Sequence, residues 1–424
     1  METTGPAPPA WAAPDGALPP DPVRALPVLA PPVPGPPPPS SPYEHVPPLP
    51  PHPARRRRGR ALLAGVVAGA LLAVGVAVVD ERGEAAPVPA AVRAAVDARL
   101  PALTAFVEQE RGLAFRSPVE VEVLDDGAFV EALLEPVPGD AEPVGDGGAT
   151  LRALGLLEPD QELDEEVDAS LASGVAGFYD PADGRLVVRG GVFDPYVELV
   201  LVHELTHALQ DQHFELSRPD LLEADDERQL AFDALVEGDA GRVEQAWRDA
   251  QPRSVQDQID DEEQRRYGDL DEGPYAVEVL LGFPYAAGPG LVEQLLDEGG
   301  QAGLDAAFRD PPTTSEQVLR LGPAAPTVPA PDDLPAGEVV DQGVLGELGL
   351  SLVLDLDPTD PEERLGWAGD RYATVDTEDG PCTVADVELD GAPERDLLLE
   401  AGEGASYEVQ ARGRAGLRLT SCSG

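Results

Sequence analysis

Residues 198–210 read Glu198-Leu-Val-Leu-Val-His203-Glu204-Leu-Thr-His207-Ala-Leu-Gln210. Residues four apart lie on one face of a helix, so His203 and His207 can aim two imidazoles at one point. Glu204 sits one position round from the first histidine. From there a carboxylate reaches a water beside a metal without binding the metal itself. Zinc at that point would acidify the water and polarise a carbonyl, leaving Glu204 to take the proton. The chain has five histidines, and three of them (His203, His207 and His213) fall within one eleven-residue window. The bland alternative is a buried helix whose histidines only satisfy hydrogen bonds.

Upstream, Asp194-Pro195 offers an N-cap followed by proline at the first helical position, which predicts a helix over 195–214. Before it, residues 177–189 place turn residues 180–184 between two apolar runs, the pattern of a hairpin. Residues 118–124 alternate apolar and acidic side chains and read as a strand, and 86–112 carry helical periodicity. Downstream, 227–249 form an apolar helical face interrupted by Asp233, Glu237 and Asp239. Burying such acids without a partner is costly, and a metal supplies one. Residues 274–320 read as helical with breaks at 283–285 and 288–290. A Pro/Ala/Asp linker covers 323–335, a helix lies near 344–354, and strands are expected over 372–375, 383–389 and 407–420.

The composition bounds the setting. The 424 residues carry a formal net charge of −51, with no lysine or asparagine and one isoleucine. Such a surface repels nucleic acid and anionic headgroups. The codon bias fits a high-GC bacterium and the acid excess fits a halophile. Residues 61–79 are 19 apolar residues without a charge. As a helix they span about 28 Å, the thickness of a bilayer core. Arginines 55–58 and Arg60 precede them and Asp80 and Glu81 follow, so the positive-inside rule puts the N-terminus in the cytoplasm and the rest outside. Residues 1–60 are then a proline-rich cytoplasmic tail without a core. Cys382 and Cys422 both fall on the outer side, where a disulfide is favoured.

A zinc peptidase needs a third protein ligand. If it is Glu237, thirty residues after His207 on the following helix, the site resembles the gluzincin branch of the zincin metallopeptidases. That resemblance implies a carboxylate behind the first histidine. The position four residues after Glu237 holds Gly241, which leaves Asp233 and Asp239 as candidates for the role. If the third ligand is His213, the run from His203 resembles the metzincin signature with its glycine replaced by Gln210. A helix continuing through Gln210 would turn His213 about 100° away from the other two histidines. The only methionine is Met1, so no methionine turn lies beneath the metal.

More broadly, the chain resembles a group of membrane-anchored bacterial zinc metallopeptidases over roughly residues 90–375. The matching stretches are 111–119, 177–181, the zinc helix with 210–214, 237–240, 283–285, 311–318 and 367–372. The fold this implies is α+β: a small mixed sheet, an active-site helix and a mainly helical second half, behind an N-terminal transmembrane helix. The expected organisation is a tail over 1–60, a membrane helix over 61–79, a catalytic domain over 80–322 and a C-terminal α/β region over 323–424.

The expected activity is extracytoplasmic, zinc-dependent cleavage of a peptide or protein substrate, with Glu204 as general base. Tyr285 is the candidate donor to the oxyanion, and the strand at 186–189 is the candidate edge for pairing an extended substrate. Two rival readings are a zincin-fold binding protein that has lost activity and an envelope interaction protein acting through its proline tail.

Overall fold

Helix α5 (Pro195–Phe214) is buried along nearly its whole length. Asp194 caps it, accepting from the Val197 amide at 3.0 Å, and Pro195 stands at its start. Leu199, Leu201, Leu205 and Leu209 are almost fully buried, each worth about 1.5–3 kcal/mol of apolar transfer. A helix apolar on all sides belongs inside a core. Five polar side chains are carried in with it: His203, Glu204, Thr206, His207 and Gln210. Thr206 satisfies itself on the Val202 carbonyl at 2.8 Å. The other four must find partners elsewhere.

The computed structural model describes residues 88–135, 147–218, 226–267, 273–323, 325–357, 359–360, 364–402 and 406–423. The expected tail over 1–60 and the expected membrane helix over 61–79 lie outside them. The described residues form a mixed α+β architecture with eleven helices and eight strands.

Around α5 stand α1 (Ala90–Arg111) and a three-stranded sheet of β1 (Val121–Leu124), β2 (Gly177–Asp180) and β3 (Arg185–Arg189). The order is β1-β3-β2, with β1 parallel and β2 antiparallel to β3. The strand at 186–189 is therefore the central one. Both its edges are already paired, so it cannot receive a substrate strand, contrary to the sequence reading. The parallel partner that closes its second edge is β1, 65 residues earlier in the chain, and no local hairpin pattern announces it. Helices α2 (Asp126–Leu133), α3 (Gly147–Ala153) and α4 (Leu163–Gly174) follow β1. Phe129, Leu133 and Leu171, from α2 and α4, cover the sheet together with Phe178 and Val187.

Beyond α5 come α6 (Asp226–Ala250), α7 (Arg253–Tyr267), α8 (Tyr275–Arg309) and α9 (Ser315–Leu319). Helices α6 and α8 are the most extensively packed pair of elements. They touch backbone to backbone. A methyl group on Gly238 would lie 2.3 Å from the Gly288 carbonyl, and one on Gly288 would lie 2.2 Å from the Ala234 carbonyl. Gly288→Ala is expected to force the helices apart and to cost about 1–3 kcal/mol. Denaturant unfolding measures this, and a stability equal to wild type would rule out the close crossing.

Helix α8 departs from its sequence pattern. It runs helically through Pro284 and Pro289, where breaks are expected, and loses helical geometry only at Gly300 (φ 60°, ψ −160°). Packing on α6 holds the proline turns in place. By length and composition α8 is the one helix among the described residues that could cross a membrane. Phe283, Leu291, Val292, Leu304 and Phe308 on it are nonetheless buried against α6, α9 and α10 (Gly346–Val353) in a shared core.

The last part of the chain is a five-stranded antiparallel sheet, ordered β4-β5-β6-β8-β7. Its strands are β4 (Glu338–Gly343), β5 (Trp367–Thr377), β6 (Gly380–Leu389), β7 (Glu408–Arg412) and β8 (Gly416–Cys422), with α11 (Ala392–Ala401) between β6 and β7. Cys382 and Cys422 pair directly across β6 and β8 and are joined by a disulfide. Thr150 of α3 enters this sheet's buried hydroxyl network, bonding Asp341 and Thr374.

Candidate metal centre

Three of the four unsatisfied polar groups of α5 converge on α6. His203 Nε2 lies 3.0 Å from Glu237 Oε2, and His207 Nε2 lies 3.4 Å from the same oxygen. One donor atom from each of these residues falls within 4.8 Å of the others, and all three residues are buried. This group could hold a metal ion.

The far side of each imidazole is also fixed. His203 Nδ1 bonds Glu244 Oε2 at 2.8 Å, and His207 Nδ1 bonds Gln210 Oε1 at 3.0 Å. With both Nδ1–H groups donated outward, both Nε2 atoms face the Glu237 carboxylate, and that of His203 is hydrogen-bonded to it. Outward Nδ1 bonds of this kind orient the ring of a metal-binding histidine and leave Nε2 for the metal once its proton is lost. Gln210 is itself held by donating to the Val236 carbonyl at 3.1 Å and to Asp239 Oδ2 at 3.0 Å. Asp239 is anchored in turn by buried Arg111 of α1 (2.6 Å) and by Arg242 (3.1 Å). Arg111 also pairs with Asp305 of α8 at 2.8 Å. Four helices thus meet in one polar network behind His207.

The electrostatics follow from this crowding. Burial by itself would lower the His203 pKa, but hydrogen bonds and charge from Glu237 and Glu244 overcome it and hold the imidazole well above its ordinary value. His207 is raised in the same way, with Glu237 prevailing over burial. Burial pushes the Glu237 carboxyl upward, yet the charge of His207 and the hydrogen bond from His203 win and bring it down to about 2. Glu204 is raised, because burial outweighs the two neighbouring histidines. Glu237 is thus held as an anion against two imidazoles that tend to be protonated, so a divalent cation binding here would displace protons from their Nε2 atoms.

Glu204 supplies the test of fit. Both its carboxylate oxygens are buried and hydrogen-bonded to nothing, and His207 Nε2 is buried without a hydrogen bond as well. Buried polar atoms without partners cost about 1–3 kcal/mol each and are rare in proteins. These three lie together where a cation and its water would satisfy all of them. The donor set of two imidazoles and one carboxylate fits such an ion.

The other sequence candidates are placed as follows. Tyr285 stands beside the site, its ring stacked on His203 at 6.5 Å between centroids and its hydroxyl against Glu237. His213 does not join the group. Its Nε2 bonds the Ala114 carbonyl at 2.9 Å, because α5 continues through Gln210 and turns it away. Neither Asp233 nor Asp239 touches a histidine. Asp239 acts on His207 only through Gln210. Asp233 Oδ1 accepts from Gln229 at 2.7 Å, and burial and the charge of Glu237 push its pKa up to about 7.

The carboxylate behind His203 is Glu244. It lies seven residues after Glu237, two turns along the same face of α6, and its longer side chain reaches Nδ1. The position four residues on is Gly241, so the sequence signal for this role is the seven-residue spacing from Glu237 to Glu244. Gln210, which in the sequence shows only as an obstacle to a helix break, orients His207. Glu244→Ala is expected to weaken metal binding about 10–100-fold while leaving the fold intact. Competition with a chromogenic chelator measures it, and an affinity equal to wild type would remove Glu244 from the site.

Compared with the models of known protein families, with curated proteins and with solved structures, the chain matches none.

Proposed function

We propose that the chain is a zinc-dependent peptidase with a zincin-like core, anchored by residues 61–79 and acting outside the cytoplasmic membrane. The observation that carries the reading is Glu204, a buried, unpartnered carboxylate next to a buried His203–His207–Glu237 group. A structural role for Glu204 would require a hydrogen-bond partner, and it has none. A zinc ion bound by His203, His207 and Glu237 would supply Lewis acidity for the scissile carbonyl and its attacking water. Glu204 would take a proton from the attacking water and return it to the leaving amine. Burial raises its pKa, which strengthens the carboxylate as a base. Glu244 and Gln210 keep the imidazoles oriented through the cycle. Tyr285, beside His203, is the group we assign to donate its hydroxyl to the developing oxyanion, in exchange for its bond to Glu237. The apolar surroundings from α5, α6 and α8 strengthen each of these interactions by excluding water.

The location rests on the uninterrupted apolar run at 61–79 with arginines on one flank, and on the Cys382–Cys422 disulfide, which belongs in an oxidising compartment. Metal analysis and chelation test the activity. One zinc per chain is expected, with hydrolysis of an unstructured protein such as casein abolished by a chelator and restored by zinc. Peptide hydrolysis that persists in a chain stripped of metal would overturn the proposal.

A further inference from the structure

One helical turn before Glu237, the same face of α6 opens into a cavity of about 270 Å³. That is below the roughly 300–1,000 Å³ of sites for drug-sized ligands and suits a single side chain. Its apolar wall comes from three separate parts of the chain: Leu230 on α6, Leu280 on α8, and Leu345 and Leu348 at the start of α10. Its polar lining is two carboxylates, Glu227 and Asp233, and the side-chain amide of Gln229. Glu227 is committed, its Oε2 accepting from the Ser315 amide at 2.8 Å and hydroxyl at 3.1 Å. Asp233 is not. Its one hydrogen bond comes from Gln229, and no arginine among the described residues pairs with it. Gln229, having given its amide N–H to Asp233, has its carbonyl oxygen buried without a partner.

We infer that this cavity is a specificity pocket for a basic side chain, arginine above lysine, next to the scissile bond. The leucines would cover the alkyl stem, while the Asp233 carboxylate and the Gln229 carbonyl accept from the several N–H groups of a guanidinium. Asp233 and Glu237 are four residues apart on one helix. A side chain seated on Asp233 therefore belongs to a residue whose backbone lies near the metal ligands. The identity of the ligand as part of a peptide rests on the peptidase reading; the chemistry of the pocket does not.

The test uses the full-length, zinc-loaded chain in detergent and two probes. The first is n-butylguanidine, titrated calorimetrically. Saturable binding is expected, weakened about tenfold or more in Asp233→Asn. It should be abolished in Gln229→Lys, which places a tethered cation against Asp233 at a half-buried position that tolerates it. Retained helicity by circular dichroism separates these effects from misfolding. Equal binding by wild type and Asp233→Asn would overturn the pocket. The second probe is a peptide library in which one position is varied. Cleavage beside arginine or lysine is expected to exceed cleavage beside leucine by about tenfold, and that ratio should collapse in Asp233→Asn. Cleavage without a basic preference overturns this inference and leaves the peptidase reading standing. Guanidine binding with no peptide cut overturns the peptidase reading and leaves the pocket standing.

Discussion

Glu204→Gln is expected to keep the bound metal and to lower peptide hydrolysis by about 10²–10⁴-fold, the usual contribution of a positioned general base. The substitution is nearly isosteric, so packing around α5 should survive it. Glutamine removes the basic oxygen but adds an N–H, in a place where the carboxylate has no hydrogen-bond partner of its own. The metal ligands are untouched, because His203 and His207 take their outer bonds from Glu244 and Gln210 rather than from Glu204. Stability should stay level or rise slightly, since an unpartnered buried acid with a raised pKa is a liability to the fold. Parallel measurements of zinc content, turnover of a casein substrate and thermal unfolding check this. A glutamine variant that cleaves at the wild-type rate would remove Glu204 from the chemistry, whatever the metal does.

The parts of the site legible in the sequence are those written in local spacing. Asp194-Pro195 announces the start of α5. His203 and His207 announce a shared face, and acids inside an otherwise apolar stretch announce α6. What the sequence leaves open depends on contacts between distant segments. That β3 is the central strand follows from β1 lying parallel to it, a pairing between residues 65 positions apart. That α8 continues through two prolines follows from its backbone contact with α6 at Gly238 and Gly288. The role of Gln210 requires knowing that Asp239 lies opposite it, held there by an arginine from α1. Spacing along one helix thus reveals the metal ligands, whereas the groups that orient them come from elsewhere in the fold.

Glu237→Ala is expected to lose the metal to a degree that exceeds the outer-partner change at Glu244, while His213→Ala retains it. The two residues were the sequence rivals for the third ligand, and their surroundings now differ sharply. Glu237 lies within hydrogen-bond reach of both imidazoles, and its pKa is brought down to about 2 by their charge. Removing it leaves His203 bonded on one side only and His207 Nε2 facing no anion. In the metal-free chain that breaks a buried ionic group, which costs about 3–5 kcal/mol. The stability contributed by Glu237 has a defined pH range. Its folded pKa lies below the usual carboxylate value, so the contribution is present above pH 4–5 and lost as pH falls toward 2. His213 makes one hydrogen bond to a backbone carbonyl near the end of α5, worth about 1 kcal/mol. Zinc content after dialysis, with chelator competition for the affinity and acid titration of the metal-free proteins for the stability, separates the two. If the His213 variant sheds zinc and the Glu237 variant holds it, α5 must break at Gln210 when the metal binds, and the coordination would be of the three-histidine kind.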